Sequence, residues 1–428
     1  MDDNDDGSAH DIHVVRASLE RVRRRAGHVV RFFYAHLFRH HPHLRPLFPV
    51  DMTDQYQRMF TSLVHVVEQL GHPGLPTHLA RLGRDHRKFG IVDRDYTAVG
   101  ESLVAAVAQH SPTTWDGATR AAWLRVYGGV AELMAAGARR SVAEHEPPFW
   151  EATVVSHRLH GDHTAVVRAA VRTPYPWLPG QYAALEHQDL PGVWRPYSLA
   201  GGAAAEARER ERILEFHVGR VADGLLSTVL CDHTEPGQRL RLGAASGAAL
   251  APPPGTPAVT LIAAGTGWAP VKPVLDELLA RRPAPRVRID AVARGEAHFY
   301  DGAFLDDLLR DHPWLSAYWW HEERDEGRTR AAERLHTHLR GRRDWSGESV
   351  YLCGPVQFVQ ETAALLHACG LPRESLIRDP QPSSVRRRGH VSHAEAFLDP
   401  VAVTWIDPEA RTRPPSAPMA VWQGTVGC

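Results

Sequence analysis

The hydrophobic period of this chain changes twice, and those two changes constrain its architecture more than any single motif. From about residue 12 to 142, apolar residues recur at helical spacing: Val22, Ala26, Val30, Phe33 and Leu37 follow at three- and four-residue steps until Pro42 and Pro46 interrupt them. The pattern predicts further helices over 55–70, 77–89, 96–109 and 115–138, with Gly71-His72-Pro73-Gly74 and Gly90 as stops. After Glu146-Pro147-Pro148, short alternating runs take over at 152–159, 164–172, 181–186, 213–219 and 239–242. Punctuated by Pro-Gly and Gly-Gly, they predict a small antiparallel barrel, with 203–212 as a solvated hairpin tip. Past a linker, Ala251-Pro252-Pro253-Pro254-Gly255, apolar strands at 259–263, 287–292, 317–321 and 350–352 alternate with helical stretches, as in a doubly wound parallel sheet. The stretch from about 381 is rich in Arg and Pro, holds one strand-like run at 401–406, and fits neither neighbour.

A length of 428 residues exceeds what one hydrophobic core usually serves, so two to three domains are expected. The formal net charge of -1 supplies no basic surface of the kind that binds nucleic acid or anionic membrane, which leaves small molecules as the expected partners. Four scattered cysteines, Cys231, Cys353, Cys369 and Cys428, form neither a disulfide framework nor a zinc site and point to a reducing compartment. The acidic start lacks the order of a secretory signal, and no apolar run approaches the roughly 18 residues of a membrane span. The expectation is a cytoplasmic monomer.

Three runs in the second half carry cofactor chemistry. Arg195-Pro196-Tyr197-Ser198 offers a cation, a ring and a hydroxyl from one extended segment, shortly after Pro179-Gly180-Gln181-Tyr182. Alternation would put Arg195 and Tyr197 on one face and Ser198 on the other. Ala264-Gly265-Thr266-Gly267, followed by Pro270, is a glycine turn between a buried strand and a helix, where the backbone can approach a pyrophosphate. Tyr351-Leu352-Cys353-Gly354-Pro355 places a thiol at a later strand end. Gly224 to Thr228, with Ser227, can open a helix whose free N–H groups face an anion, although a hydroxyl there also serves as a plain cap. In the helical part, Leu79, Leu82, His86 and Phe89 share one face; a histidine so placed is either a satisfied core side chain or a ligand.

Phe32-Phe33-Tyr34, His41-Pro42, Pro46-Leu47-Phe48-Pro49 and Gln55 resemble the bacterial flavohaemoglobin branch of the globins, and the later runs resemble its ferredoxin reductase-like flavoprotein module. The resemblance spans about 12–379 and implies a multidomain chain: an all-α globin at 1–146, an antiparallel β-barrel FAD domain at 147–254, an α/β doubly wound NAD(P) domain at 255–380 and an extension at 381–428. It implies haem b with iron on His86, Phe48 packed on the porphyrin, Tyr34 and Gln55 as distal polar groups and Tyr96 beside the proximal histidine. For FAD it implies Arg195 on the phosphates, Tyr197 on the flavin, Ser198 near its reactive nitrogen, and contacts from Gln181, Tyr182, Gly224, Ser227 and Thr228. For NADH or NADPH it implies Gly265, Thr266, Gly267, Pro270, Cys353, Gly354 and Pro355, with Arg294 and residues 298–301 toward the adenosine half.

Electrons would then pass from nicotinamide through FAD to haem iron, and O2 with nitric oxide would give nitrate. The alternatives are a haem-dependent reductase or oxygenase of a specialised pathway, or an oxygen or redox sensor. The sequence departs from the family twice. Ala138 stands where a proximal carboxylate is expected, with Glu132 on the same helix as a substitute, and Leu376-Ile377-Arg378-Asp379 runs into Pro380-Gln381-Pro382-Ser383 where the resemblance implies a terminal aromatic. An appended plant-type iron-sulfur domain is excluded, because only Cys428 follows.

Overall fold

The helical period is realised as six helices among the described residues, which in this computed structural model are 3–381 without 50–51, 202–211, 251, 254, 322–330 and 343. Helices α1 (Asp3–Arg23) and α2 (Ala26–His40) are separate. At Arg25 the backbone leaves the helical region (φ -110°, ψ 18°), so the apolar row from Val22 to Leu37 is divided between two helices. Helices α3 (Thr53–Glu68), α4 (Leu75–His86), α5 (Asp93–His110) and α6 (Gly117–Ala143) follow. Helix α4 opens on Pro76, harmless in a first turn, and ends at His86 rather than at Phe89. Arg87–Phe89 is a 3-10 turn closed by Gly90 in the left-handed conformation (φ 77°). Helices α4 and α6 meet backbone to backbone: a Cβ on Gly83 would overlap the Met134 carbonyl, and one on Gly137 the Ala80 carbonyl. That approach sets α6 against the helix carrying His86. The core clusters gather Val30, Phe33, Tyr34, Leu37 and Trp123 in one, and Leu79, Tyr96, Met134 and Ala135 in the other.

The alternating runs become β1 (Trp150–His160), β2 (Thr164–Val171), β3 (Tyr182–His187), β4 (Arg195–Gly201), β5 (Arg212–Gly219) and β6 (Arg239–Leu242). They close an antiparallel barrel in the order β1-β2-β5-β4-β3-β6. Its interior takes every second side chain: Val167 and Ala169 from β2, and Leu214, Phe216 and Val218 from β5. The single-turn helix α7 (Leu225–Thr228) runs into a π turn (Val229–His233) before β6.

Beyond the barrel come β7 (Ala258–Ala264), α8 (Trp268–Ala280), β8 (Arg286–Val292), α9 (Gly302–Asp311), β9 (Leu315–Trp320), α10 (Ala331–Arg340), β10 (Glu348–Pro355), α11 (Val356–Ala368) and β11 (Leu376–Gln381). The strands form a parallel sheet in the order β11-β10-β7-β8-β9. Strand order reverses between β7 and β10, and a crevice at the carboxyl ends of such strands is where open α/β sheets bind ligands. One strand joins those the sequence predicts: the run through Pro380 is an edge strand, with Cys353 opposite Asp379 and Gly354 opposite Pro380. Proline is tolerated there because an edge strand has one side without a ladder. The terminal aromatic is nonetheless absent from β11. The hairpin tip at 203–211, positions 251 and 254 of the linker, the run at 401–406 and Cys428 lie outside the described residues. Among the described residues Cys231, Cys353 and Cys369 are free thiols, and no helix is long and apolar enough to cross a membrane.

Candidate cofactor sites

His86, the last residue of α4, has one ring nitrogen committed: Nδ1 lies 2.6 Å from the Leu82 carbonyl and must donate to it. The neutral tautomer therefore presents a bare Nε2, the atom a metal ion takes. Desolvation pulls the ring's pKa below its ordinary value, partly opposed by the Leu82 carbonyl, so the neutral form is favoured. Tyr96 lies beside it, ring centroids 6.3 Å apart, as the resemblance implied. The other histidines considered as ligands are otherwise engaged. His72 Nδ1 accepts from the Gly74 amide at 3.1 Å, and His78 sits edge-on to His65 at 5.9 Å. Glu132 is no substitute carboxylate: it is exposed and paired with Arg139, which also binds Asp93 at 2.8 Å. A backbone carbonyl, not a carboxylate, thus orients His86.

Tyr34 is 2% exposed, and the Gln55 amide donates to its hydroxyl oxygen at 2.9 Å. Burial raises its pKa strongly, with the Gln55 bond acting the other way, so the phenol stays protonated. Because Gln55 uses the oxygen, the phenolic proton has no acceptor in the described protein and can point to a ligand. Phe48 stands edge-on to Tyr34 at 5.4 Å, and Phe38 lies 5.3 Å from Phe48. A bare imidazole nitrogen, an unspent hydroxyl proton and an aromatic wall are a donor set that suits haem.

In the barrel, Tyr182 of β3 stands opposite Ser198 of β4, and Ala183 opposite Tyr197. Tyr197 packs against the barrel core and burial raises its pKa; burial likewise pushes Tyr182 up to about 12. Arg195 is half-buried and gives one Nη1 proton to the Trp194 carbonyl at 2.8 Å. Two of the implied FAD contacts have side chains with protein partners. The Gln181 amide accepts from the Leu178 amide at 2.8 Å and donates to the Gly247 carbonyl at 3.1 Å. Ser227 Oγ closes the turn at Gly224, 3.2 Å from both the Val221 amide and the Gly224 carbonyl, which leaves its hydroxyl no proton for a phosphate. A short polar side chain next to a helix start finds the nearest backbone partner first.

The glycine turn and the second strand end are brought into contact. A Cβ on Gly267 would lie 2.5 Å from the Cys353 carbonyl oxygen and 2.7 Å from the Gly354 amide, so the two motifs pass each other at backbone distance. Gly265 (φ 56°) borders open space at the head of α8, the opening a pyrophosphate needs. Thr266 covers Gly219 of β5, while Pro270 is buried in the first turn of α8 and Pro355 precedes α11. Cys353 is 1% exposed and burial pushes its thiol well above the ordinary value, so it is a neutral thiol among Leu261, Val271 and Tyr351. Arg294 lies exposed beyond β8, the Tyr300 hydroxyl meets His217 of the barrel, and Asp301 pairs with Lys272 of α8.

Sequence reasoning missed the surface joining the helical part to the barrel, because its members lie a hundred residues apart. Arg84 donates to the Ala245 carbonyl at 3.3 Å, while inside the helical part Arg87 ties the turn to α6 and its end, donating to the Ser141 hydroxyl at 2.7 Å and the Glu146 carbonyl at 3.0 Å. The Phe89 ring is 6.4 Å from His86 on one side and 6.3 Å from Trp194 on the other. Lys88 Nζ sits 5.2 Å from Phe89 and 5.4 Å from Trp194. His86 and the strand that carries Arg195 are therefore linked through two aromatic rings.

Comparison with known proteins agrees with this division. The globin family matches residues 31–134, and the oxidoreductase NAD-binding domain family matches 261–364. The chain is similar to the flavohemoprotein of Vibrio cholerae serotype O1, 22% identical over 381 residues covering 85% of this chain and 94% of that one. It is also similar to the flavohemoprotein of Rhizobium meliloti, 23% identical over 392 residues covering 81% and 91%. Among solved structures it is similar to the Malassezia yamatoensis flavohemoglobin with bound FAD and heme, with a TM-score of 0.66, 20% identity and coverage of 86% and 98%. That likeness establishes the fold: helical globin, closed barrel and parallel-sheet domain in the same order.

Proposed function

We propose, for a chain with the globin, barrel and NAD-domain architecture of the flavohaemoglobins, an oxidoreductase that draws electrons from NADH or NADPH through FAD to haem b and turns nitric oxide into nitrate with O2. The observation that carries this reading is His86. It is tautomerically set to ligate and sits on a helix whose end docks on the barrel next to the Arg195 strand. When bound, the nicotinamide supplies a hydride, FAD separates it into single electrons, and haem offers an iron that takes up diatomic gases.

The chain's own residues divide the remaining work. Leu82 holds the His86 ring in the ligating tautomer, and Tyr96 covers its flank. Gln55 turns the Tyr34 proton toward a bound diatomic ligand, which keeps that ligand from leaving early. Arg195 offers a planar fork for the FAD phosphates, and Ser198 a hydroxyl from the same strand. The Gly265–Gly267 turn cradles the nicotinamide pyrophosphate, with Cys353 and Gly354 at its back.

An absorption spectrum of the purified protein, recorded before and after anaerobic NADH or NADPH and then after oxygen and nitric oxide, tests the reading. A Soret band that shifts on reduction, followed by stoichiometric nitrate, is expected. Absence of the band, or reduction without nitric oxide consumption, would reject it. A second reading rests on the Leu82 carbonyl, which donates less electron density to the His86 ring than a carboxylate does. A weaker push suits a haem-dependent reductase or oxygenase with another substrate, and turnover indifferent to nitric oxide would favour it.

A further inference from the structure

The outer face of β5 is a rail on which the nicotinamide half of the molecule is seated. Leu214, Phe216 and Val218 point into the barrel, so strand alternation turns Glu215, His217 and Gly219 outward, and each of the three meets the α/β domain. Glu215 Oε1 accepts from Lys272 Nζ at 2.8 Å and from His217 Nε2 at 2.9 Å, while its Oε2 accepts from Arg168 Nε at 2.7 Å. Lys272 Nζ also reaches Asp301 Oδ2 at 2.8 Å, an oxygen that accepts from Trp268 Nε1 at 2.8 Å. His217 Nδ1 lies 2.9 Å from the Tyr300 hydroxyl, and Thr266 covers Gly219. Glu215, His217 and Lys272 are all buried.

Two carboxylates face one ammonium and one guanidinium, and the His217 ring bridges Glu215 and the Tyr300 hydroxyl. Burial works to raise the Glu215 carboxyl, but His217 and Lys272 outweigh it and hold it well below the usual carboxylate range. A buried ion pair of this kind is seldom better for stability than apolar packing, yet its directional bonds admit one geometry. None of these groups has a part in the hydride chemistry.

We infer that Lys272 and Glu215 are positioning residues for hydride transfer. Trp268 and Lys272 occupy the first two turns of α8, directly after the Gly265–Gly267 turn. β5 is paired with β4 at Leu199 opposite Phe216 and Gly201 opposite Glu215, and β4 carries Arg195 to Ser198. One strand thus sets the distance between the pyrophosphate turn and the flavin strand. In the transfer a C–H bond of the reduced nicotinamide breaks with both its electrons and an N–H bond of the flavin forms. The nicotinamide is oxidised, the flavin reduced, and the two atoms must come within about 3–3.5 Å. The inference rests on the proposed nicotinamide-to-FAD route.

Anaerobic stopped-flow reduction of the flavin in the full holoenzyme, with NADH and NADPH and their 4-deuterated forms, tests it. Lys272→Met is expected to lower the limiting reduction rate about 10- to 100-fold, the scale of an ångström-sized misplacement, and to change the deuterium isotope effect. FAD content should be unchanged and nicotinamide Kd should move less than about threefold, since the cradle itself is intact. Lys272→Arg, which keeps the charge, should recover most of the rate. If Lys272→Met does not fold, Tyr300→Phe removes one neutral contact and should slow the limiting rate a few-fold with the same isotope signature. An unchanged limiting rate and isotope effect in the folded variant, with wild-type flavin readily reduced, overturns the positioning role alone. Wild-type flavin reduced by neither nicotinamide overturns the proposed function and this role with it.

Discussion

The two junctions that hold the barrel between its neighbours are built by opposite means. The globin side is met by the end of α4 and the turn after it, through Arg84 bonded to the Ala245 carbonyl, a pair of edge-on rings and the Lys88 ammonium near them. The α/β side is met by a buried network in which Glu215, Lys272, His217, Asp301 and Tyr300 satisfy one another. Carbonyl contacts from long side chains tolerate small shifts, whereas a closed charge network does not. The difference matches what each junction would have to pass in the proposed route: an electron can cross a gap between aromatic groups, but a hydride moves only between atoms in near contact.

The largest expected effect probes the globin side. His86→Ala should abolish the Soret band and leave flavin bound, because His78, the other histidine on α4, packs against His65 rather than beside Tyr96; absorbance at equal protein concentration checks it. Haem retained in normal amount would remove His86, and with it the ring path to Trp194, from the comparison. Next is Gly267→Ala, which forces a methyl to within 2.5 Å of the Cys353 carbonyl. Overpacking of that order costs roughly 1–3 kcal/mol, so flavin reduction by nicotinamide should fall at least about tenfold while the Soret band is unaffected. Equal loss on both sides of the barrel would mean that the junctions are not independent.

Acidification sharpens the contrast at the α/β junction. The Glu215 carboxyl is held low, so its stabilisation is present at neutral pH and is lost only as pH falls below the usual carboxylate range toward its lowered folded value. Asp276, on the same helix as Lys272, is pushed up to about 6 by burial; its folded form keeps a proton the unfolded chain releases, so it adds stability as pH drops through 6. Flavin fluorescence followed from pH 7 to 3 should therefore show no release of the junction above about pH 4.5, the ordinary Glu value. Release near pH 6 would contradict the network. The smallest effect belongs to Arg84→Ala, which removes the contact to the Ala245 carbonyl, worth about 1 kcal/mol. Haem reduction should slow by no more than about tenfold relative to flavin reduction, and a total block would show that the globin junction is as exacting as the other.

Much of the fold was legible because it rests on local periods. The helical, alternating and strand-helix regimes of the sequence correspond to α1–α6, β1–β6 and β7–β11. What was missed was local too: the division of α1 from α2 at Arg25, and the edge strand β11 through Pro380, which only its pairing with β10 reveals. The candidate site residues were picked where residue type implies chemistry, as at His86, Arg195 and Gly265. They were not legible where a side chain could choose its partner. Gln181 bonded Leu178 and Gly247, Ser227 its own turn and Glu132 Arg139, while Tyr300 met the barrel and Asp301 met α8.

By itself, then, the sequence determined the order of a helical part, a barrel and an α/β sheet, the glycines where backbones meet, and the residue types available for haem, FAD and nicotinamide. Periodicity and backbone sterics act over a few residues, so they can be read along the chain. Only the tertiary structure decided which nitrogen of His86 is free, that Trp194 lies beyond Phe89, and that Glu215 faces Lys272 across 57 positions of sequence. Those outcomes depend on hydrogen-bond partners and buried charges brought together from distant segments, and a polar side chain takes whichever partner folding places nearest.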